Sequence, residues 1–103
     1  MTETALAADE IIDVLRAYEP ELRRAGICQL SLFGSVARGQ ADANSDIDLV
    51  AELEPDAHIG LFRLSAIESR LAQILGRKVD LLLEPVEKRR LQSVIDRDRR
   101  RAF

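Results

Sequence analysis

Three aspartates interrupt apolar runs at places where a buried strand wants aliphatic side chains. Asp46 and Asp48 stand one residue apart in "DIDLVAEL", and Asp80 breaks "KVDLLL" in the same manner. Strand side chains alternate between faces, so Asp46 and Asp48 project to one side, with Cα atoms roughly 6–7 Å apart. Ile47 and Leu49 then project to the other side. Two carboxylates this close repel, and each is costly to desolvate alone. A divalent cation between them reverses that balance. Hard oxygen donors suit Mg²⁺ or Mn²⁺, with phosphate oxygens and water completing the shell. If a neighbouring strand carries Asp80 to the same patch, the three acids make the ligand set for two metals about 3.5–4 Å apart. Such a pair stabilises the attacking and leaving oxygens of an in-line phosphoryl displacement. An Asp-x-Asp pair taken alone is better explained by charge on an edge strand, where it discourages aggregation. The third acid and the loop that precedes the pair change the balance.

That loop opens with "GSVARG" directly after an apolar run. Gly34 allows the backbone to turn sharply and come close to a ligand. Ser35 can cap a helix and donate its hydroxyl to a phosphate. Val36 to Arg38 then form a first helical turn, whose free N–H groups and positive dipole end attract an anion. Arg38 either binds phosphate bidentately or ties the loop to a carboxylate, and Gly39 just behind it favours the tie. Ser45, immediately before Asp46, caps a turn or steadies the loop, and is counted with the nucleotide-side residues rather than the catalytic ones.

These residues need elements to place them. From Ala5 to Ala25 the apolar residues Ala8, Ile11, Ile12, Leu15, Tyr18, Leu22 and Ala25 recur at helical spacing, with a kink or restart at Pro20 and a stop at Gly26. "ICQLSLF" is a strand, "GQADANSD" a loop and "DIDLVAEL" a second strand. Leu61, Leu64, Ile67, Leu71 and Ile74 stripe a long helix that Gly76 closes. "KVDLLLEP" is a third strand, and "VEKRRLQSVIDRDRRRAF" a last helix that frays at its basic end. The order is that of a small α/β layer with helices on one face of a three-stranded sheet.

Composition narrows the class. In 103 residues, 47% hydrophobic and 32% charged, there is room for one soluble domain, here residues 1–103, with one modest core. A net charge of −3 gives no general drive toward nucleic acid. The arginine runs near the C-terminus read as a solvated helix face. A single cysteine, Cys28, cannot form an intramolecular disulfide and reads as a small core residue. The acidic N-terminus is not a signal peptide, and no apolar run reaches bilayer length. A cytoplasmic setting is expected.

"GSVARGQADANSDIDL" resembles the signature of the polymerase-beta-like nucleotidyltransferase superfamily: Gly-Ser, a loop, Asp-x-Asp on the next strand, and a third Asp on a later strand. Gly34, Ser35, Asp46, Asp48 and Asp80 each match a position of that pattern. From about Ile11 to Val94 the chain is similar to the smallest branch, the minimal nucleotidyltransferases. The resemblance implies an α/β (α+β) fold with a three-to-four-stranded mixed sheet and helices on one face. It also implies ATP as substrate, its phosphates on Gly34 and Ser35 and Mg²⁺ held by Asp46, Asp48 and Asp80. AMP would pass to an acceptor hydroxyl and pyrophosphate would leave. Minimal nucleotidyltransferases are similar to the antitoxin halves of bacterial two-gene modules. Their partner is a HEPN-domain toxin, and some add AMP to a toxin tyrosine. Stoichiometric masking of the toxin and transfer to a small molecule are the alternative readings. His58, Tyr18, Phe33 and Phe62 are assigned structural rather than catalytic places, with Tyr18 and both phenylalanines in the core.

Overall fold

The computed structural model of the protein describes residues 7–40 and 46–103. Helix α1 (Ala8–Ala17) buries Ala8, Ile11, Ile12 and Leu15, one stripe at helical spacing, and the Glu10 carboxylate accepts the free N–H of Ala7 at 3.0 Å. The chain restarts as α2 (Glu19–Arg24) with Pro20 in the first turn, where its missing N–H costs nothing. Gly26, at φ 110°, swings the backbone into β1 (Ile27–Phe33). A single turn, α3 (Gly34–Ala37), follows. Strand β2 (Ile47–Leu53) leads to α4 (Leu61–Leu75), which Gly76 ends in the left-handed conformation. Strand β3 (Val79–Leu83), α5 (Arg89–Asp98) and β4 (Arg100–Arg101) complete the order.

The sheet runs β3-β2-β1-β4. Strands β2 and β3 are parallel, joined through α4, while β1 is antiparallel to both β2 and β4. This is the expected mixed sheet, with four strands. The fourth replaces the frayed helix end read from "RDRRRAF": Arg100 and Arg101 pair with Leu32 and Ser31, and Ala102 and Phe103 are buried behind them. Arg16 Nε donates to the Ala102 carbonyl at 2.8 Å and fastens that segment to α1. At the far edge, Glu68 of α4 accepts the outward N–H of Leu81 at 2.9 Å, so part of the open edge of β3 is covered.

Alternation sorts the strand side chains into two layers. Leu30, Leu32, Ile47, Leu49 and Ala51 lie in the main core with Ile11 and Leu15 of α1, Leu22 of α2 and Ile67 and Leu71 of α4. The other face carries the acids at one end and Phe33 and Val50 beside them. Ile95 of α5 is fully buried against these two, with Leu82, Val86 and Leu91 packed around them. The helices thus share one face as expected for α1, α2 and α4, whereas α5 takes the opposite face. The physical reason is that Phe33, Val50 and Leu82 leave an apolar patch there that must be covered.

Further placements differ from the sequence reading. Tyr18 is 36% exposed under the Arg70 guanidinium, which also forms a two-pronged pair with Glu21 at 2.6 and 3.0 Å. Leu61 and Phe62, at the start of α4, are 83% and 95% exposed, whereas the buried residues of that helix begin at Ile67. Cys28 is half-buried. The arginine runs are engaged in ion pairs: Arg97 with Asp98, Arg99 with Glu84, and Arg100 with Asp9. Among the described residues no helix is long and apolar enough to cross a membrane.

Because Ile95 is the fully buried anchor of α5, Ile95→Ala should cost about 2–4 kcal/mol in urea unfolding. Substituting the exposed Phe62 by Ala should change stability by less than about 0.5 kcal/mol.

Candidate active site

The parallel register of β2 and β3 sets Asp48 directly beside Asp80. Neighbouring strands lie about 4.8 Å apart, so the two carboxylates leave the sheet from adjacent positions on one face. On the other flank Asp48 is paired with Phe33, the last residue of β1. Asp46 precedes β2 by one residue, and the N–H of Ile47 donates to the Lys78 carbonyl at 2.9 Å, fixing the head of the strand pair. All three acids therefore gather where β2 and β3 begin and β1 ends.

Their mutual field is visible in Asp48. Burial, then the charge of Asp80, then that of Asp46 raise its pKa above the ordinary carboxylate value, and Arg38 opposes the rise only in part. Asp80 is exposed and Asp46 half-buried. Lys78 Nζ comes within 3.9 Å of Asp46 Oδ2, a solvent-exposed pair that contributes little to stability but places a mobile cation at the rim. Among the described residues no three Asp, Glu, His or Cys side chains are grouped closely enough to form a finished metal cage. The arrangement is an open face of hard oxygen donors, one of them, Asp48, made costlier to ionise by its surroundings. It could hold a divalent cation whose remaining ligands come from elsewhere, such as phosphate oxygens.

Gly34 closes the site from the β1 side. Its φ is 80°, and a Cβ there would run into the Asp48 carboxylate oxygen and stand 3.2 Å from Cγ. Two separate reasons, conformation and space, thus require glycine. The turn after it is held by Val36, which is buried in the main core, and by the Gln40 N–H, which donates to the Ser35 carbonyl at 2.9 Å. Ser35 is half-buried in that turn. Arg38 makes the structural tie: its guanidinium donates to Asp98 Oδ2 at 2.6 Å and to Gln40 Oε1 at 3.0 Å. Ser45 lies outside the described residues. Two site neighbours, Asp98 and Lys78, were not singled out by the sequence reading. The available signal for Asp98 was an acid embedded in an arginine run, and for Lys78 a cation two residues before Asp80.

Comparison with known proteins joins this geometry to a family. The model of the nucleotidyltransferase domain matches residues 9–102. The chain belongs to the nucleotidyltransferase domain family. Protein adenylyltransferase MntA of Thermococcus cleftensis is 35% identical over 80 residues, 77% of this chain and 79% of that protein. Two solved structures share the fold. One is a toxin–antitoxin crystal structure with AMP-PNP, with a TM-score of 0.67 and 23% identity, covering 95% of this chain and 73% of the matched chain. The other is the tri-AMPylated HEPN toxin of Shewanella oneidensis in complex with an MNT antitoxin. Its TM-score is 0.64 at 17% identity, covering 89% of this chain and 71% of the matched one. The nucleotidyltransferase fold thus accounts for the antiparallel–parallel sheet that assembles the acids.

Two outcomes follow from the site as it stands. A raised carboxylate pKa stabilises the fold below the ordinary carboxylate range, and that contribution is lost as pH rises through the raised value. Asp48→Asn should therefore raise the melting temperature of the metal-free protein at neutral pH, and the gain should vanish in acid, where the native carboxyl is already protonated. Gly34→Ala should destabilise the protein by about 1 kcal/mol or more in denaturant titrations, since it combines a left-handed backbone with a clash.

Proposed function

We propose that this nucleotidyltransferase is an antitoxin that transfers AMP from ATP to a hydroxyl of a HEPN-domain toxin encoded beside it, the acceptor being a tyrosine. The observation that carries the reading is the in-register placement of Asp48 and Asp80, with Gly34 pressed against Asp48. Support for a protein acceptor comes from the named activity of the Thermococcus relative, and support for the partner from the complexes that share the fold.

In this reading Gly34 and Ser35 receive the triphosphate at the end of β1, and Ser45 steadies the same loop. Arg38 supports the turn from behind. Asp46, Asp48 and Asp80 would hold Mg²⁺, or Mn²⁺ in its place. When bound, the cation neutralises phosphate charge and offsets the repulsion among the three acids. Asp80, the most exposed of the β2–β3 pair, orients the acceptor hydroxyl and takes its proton. The hydroxyl oxygen forms a bond to the α-phosphorus of ATP, the bond from that phosphorus to the α,β-bridging oxygen breaks, and pyrophosphate leaves. The acceptor gains one AMP and loses one proton. The polar, open character of the acidic face fits a large acceptor delivered by a partner protein, in the reduced interior of a cell.

Incubation with α-labelled ATP, Mg²⁺ and the product of the neighbouring gene should label that product, with mass addition on a tyrosine. Asp46→Ala combined with Asp48→Ala should reduce labelling to background, and chelation of the metal should do the same. Toxin neutralisation that persists in the double variant without labelling would point instead to stoichiometric masking. Labelling of a small-molecule hydroxyl in place of the protein would redirect the acceptor.

A further inference from the structure

The ion pair between Arg38 and Asp98 joins two elements far apart in sequence, and it stands beside the acidic face. Asp98 is the last residue of α5, and its side chain is only 3% exposed. Both of its oxygens are engaged: Oδ2 by Arg38 at 2.6 Å and Oδ1 by Arg97 Nε at 3.0 Å. Arg97, Arg38 and the hydrogen bonds they give hold the Asp98 carboxyl below its ordinary pKa against the cost of its burial. Arg38, by contrast, is 37% exposed and caps the end of a four-residue turn that is too short to be stable by itself.

The position of that guanidinium matters to the acids. The backbone N–H of Arg38 donates to the Gly34 carbonyl at 3.1 Å, and Gly34 is the residue pressed against Asp48, so Arg38 belongs to the turn that closes over that carboxylate while its guanidinium bonds to Asp98 and Gln40. Arginine has a long stem and a fork that matches a carboxylate. Released from Asp98, it would find another carboxylate beside the same turn, the half-buried Asp48, level with Asp80 on the neighbouring strand. A guanidinium seated there would neutralise the set from which a cation is to be bound.

We propose that Asp98 is a positioning residue that holds Arg38 beside the Gly34–Ala37 turn and off Asp48, leaving the acidic face open to a divalent cation. The proposal deepens the nucleotidyltransferase reading and rests on it, since it gives α5 a part in metal binding although α5 supplies no ligand. The opposing explanation is that Asp98 only fastens α5 to the sheet. The two differ in what a second substitution does. If Asp98 restrains Arg38, removing Arg38 as well relieves the defect; if Asp98 only fastens α5, a second loss deepens it or leaves it unchanged.

The test is Mn²⁺ titration of the intact protein without nucleotide, read by water-proton relaxation, so that the readout is binding and not turnover. Asp98→Ala should weaken Mn²⁺ binding about ten-fold, and Asp98→Ala with Arg38→Ala should bring it back to within about two-fold of wild type. Asp98→Glu, which keeps the charge, should hold Arg38 and bind as wild type does. Thermal melting identifies variants that fold. Should Asp98→Ala fail to fold, Asp98→Asn retains one acceptor and should show a smaller loss, again relieved by Arg38→Ala. Unchanged Mn²⁺ affinity in folded Asp98 variants, or a double variant no better than the single, overturns the positioning role and leaves the acidic site standing. Wild-type binding that is absent, or indifferent to Asp48→Asn, overturns the site and the positioning role together.

Discussion

Repulsion between carboxylates on one sheet face is the constraint around which this small protein is arranged. Asp48 is seated between Phe33 and Asp80 by the hydrogen-bonded register of three strands, so it cannot move away from its neighbours without breaking the sheet. Its pKa is raised, by burial first and by the charges of Asp80 and Asp46 after it. Stability elsewhere must offset that cost. The main core does so, with fully buried Ile11, Leu15, Leu30, Leu32, Ile47, Leu49 and Leu71 on the side of the sheet away from the acids. Separation of the two functions by face is a direct consequence of strand alternation: the same residues of β2 that expose Asp48 bury Ile47 and Leu49.

The second layer is smaller. It covers Phe33 and Val50 with one amphipathic helix, α5, and leaves the acids uncovered at the head of the strands. The terminal helix ends in Asp98, which meets Arg38, so the covering helix and the Gly34 turn share one charged contact. Chain segments 60 positions apart thereby converge on the site. Gly34 shows how tight this convergence is, because even one methyl group would collide with Asp48. A compact site of this kind needs its turn, its strand pair and its covering helix at once.

Much of this is legible in the amino-acid sequence. The glycine and proline punctuation of α1, α2 and α4, the strand alternation, and the spacing of Gly34, Ser35, Asp46 and Asp48 follow from local rules. Errors fell where local rules run out. Phe62 carries the size and apolarity of a core residue, yet it lies exposed on the first turn of α4. "RDRRRAF" reads as helix by continuity, but Arg99 is drawn to Glu84 and the backbone after it finds the free edge of β1. The tie between Arg38 and Asp98 spans 60 positions and leaves no periodic trace.

The sequence by itself determined which residues are acids, which elements carry them, and which face of each strand they occupy, because these depend on residue type and a period of two. Only the tertiary structure decided that Asp80 stands level with Asp48, since register between strands that are distant in sequence depends on how α4 packs. It also decided that α5 lies across the opposite face, and that a buried Asp98 takes hold of Arg38. Those facts come from the closing of the core around the sheet. No short stretch of chain contains them.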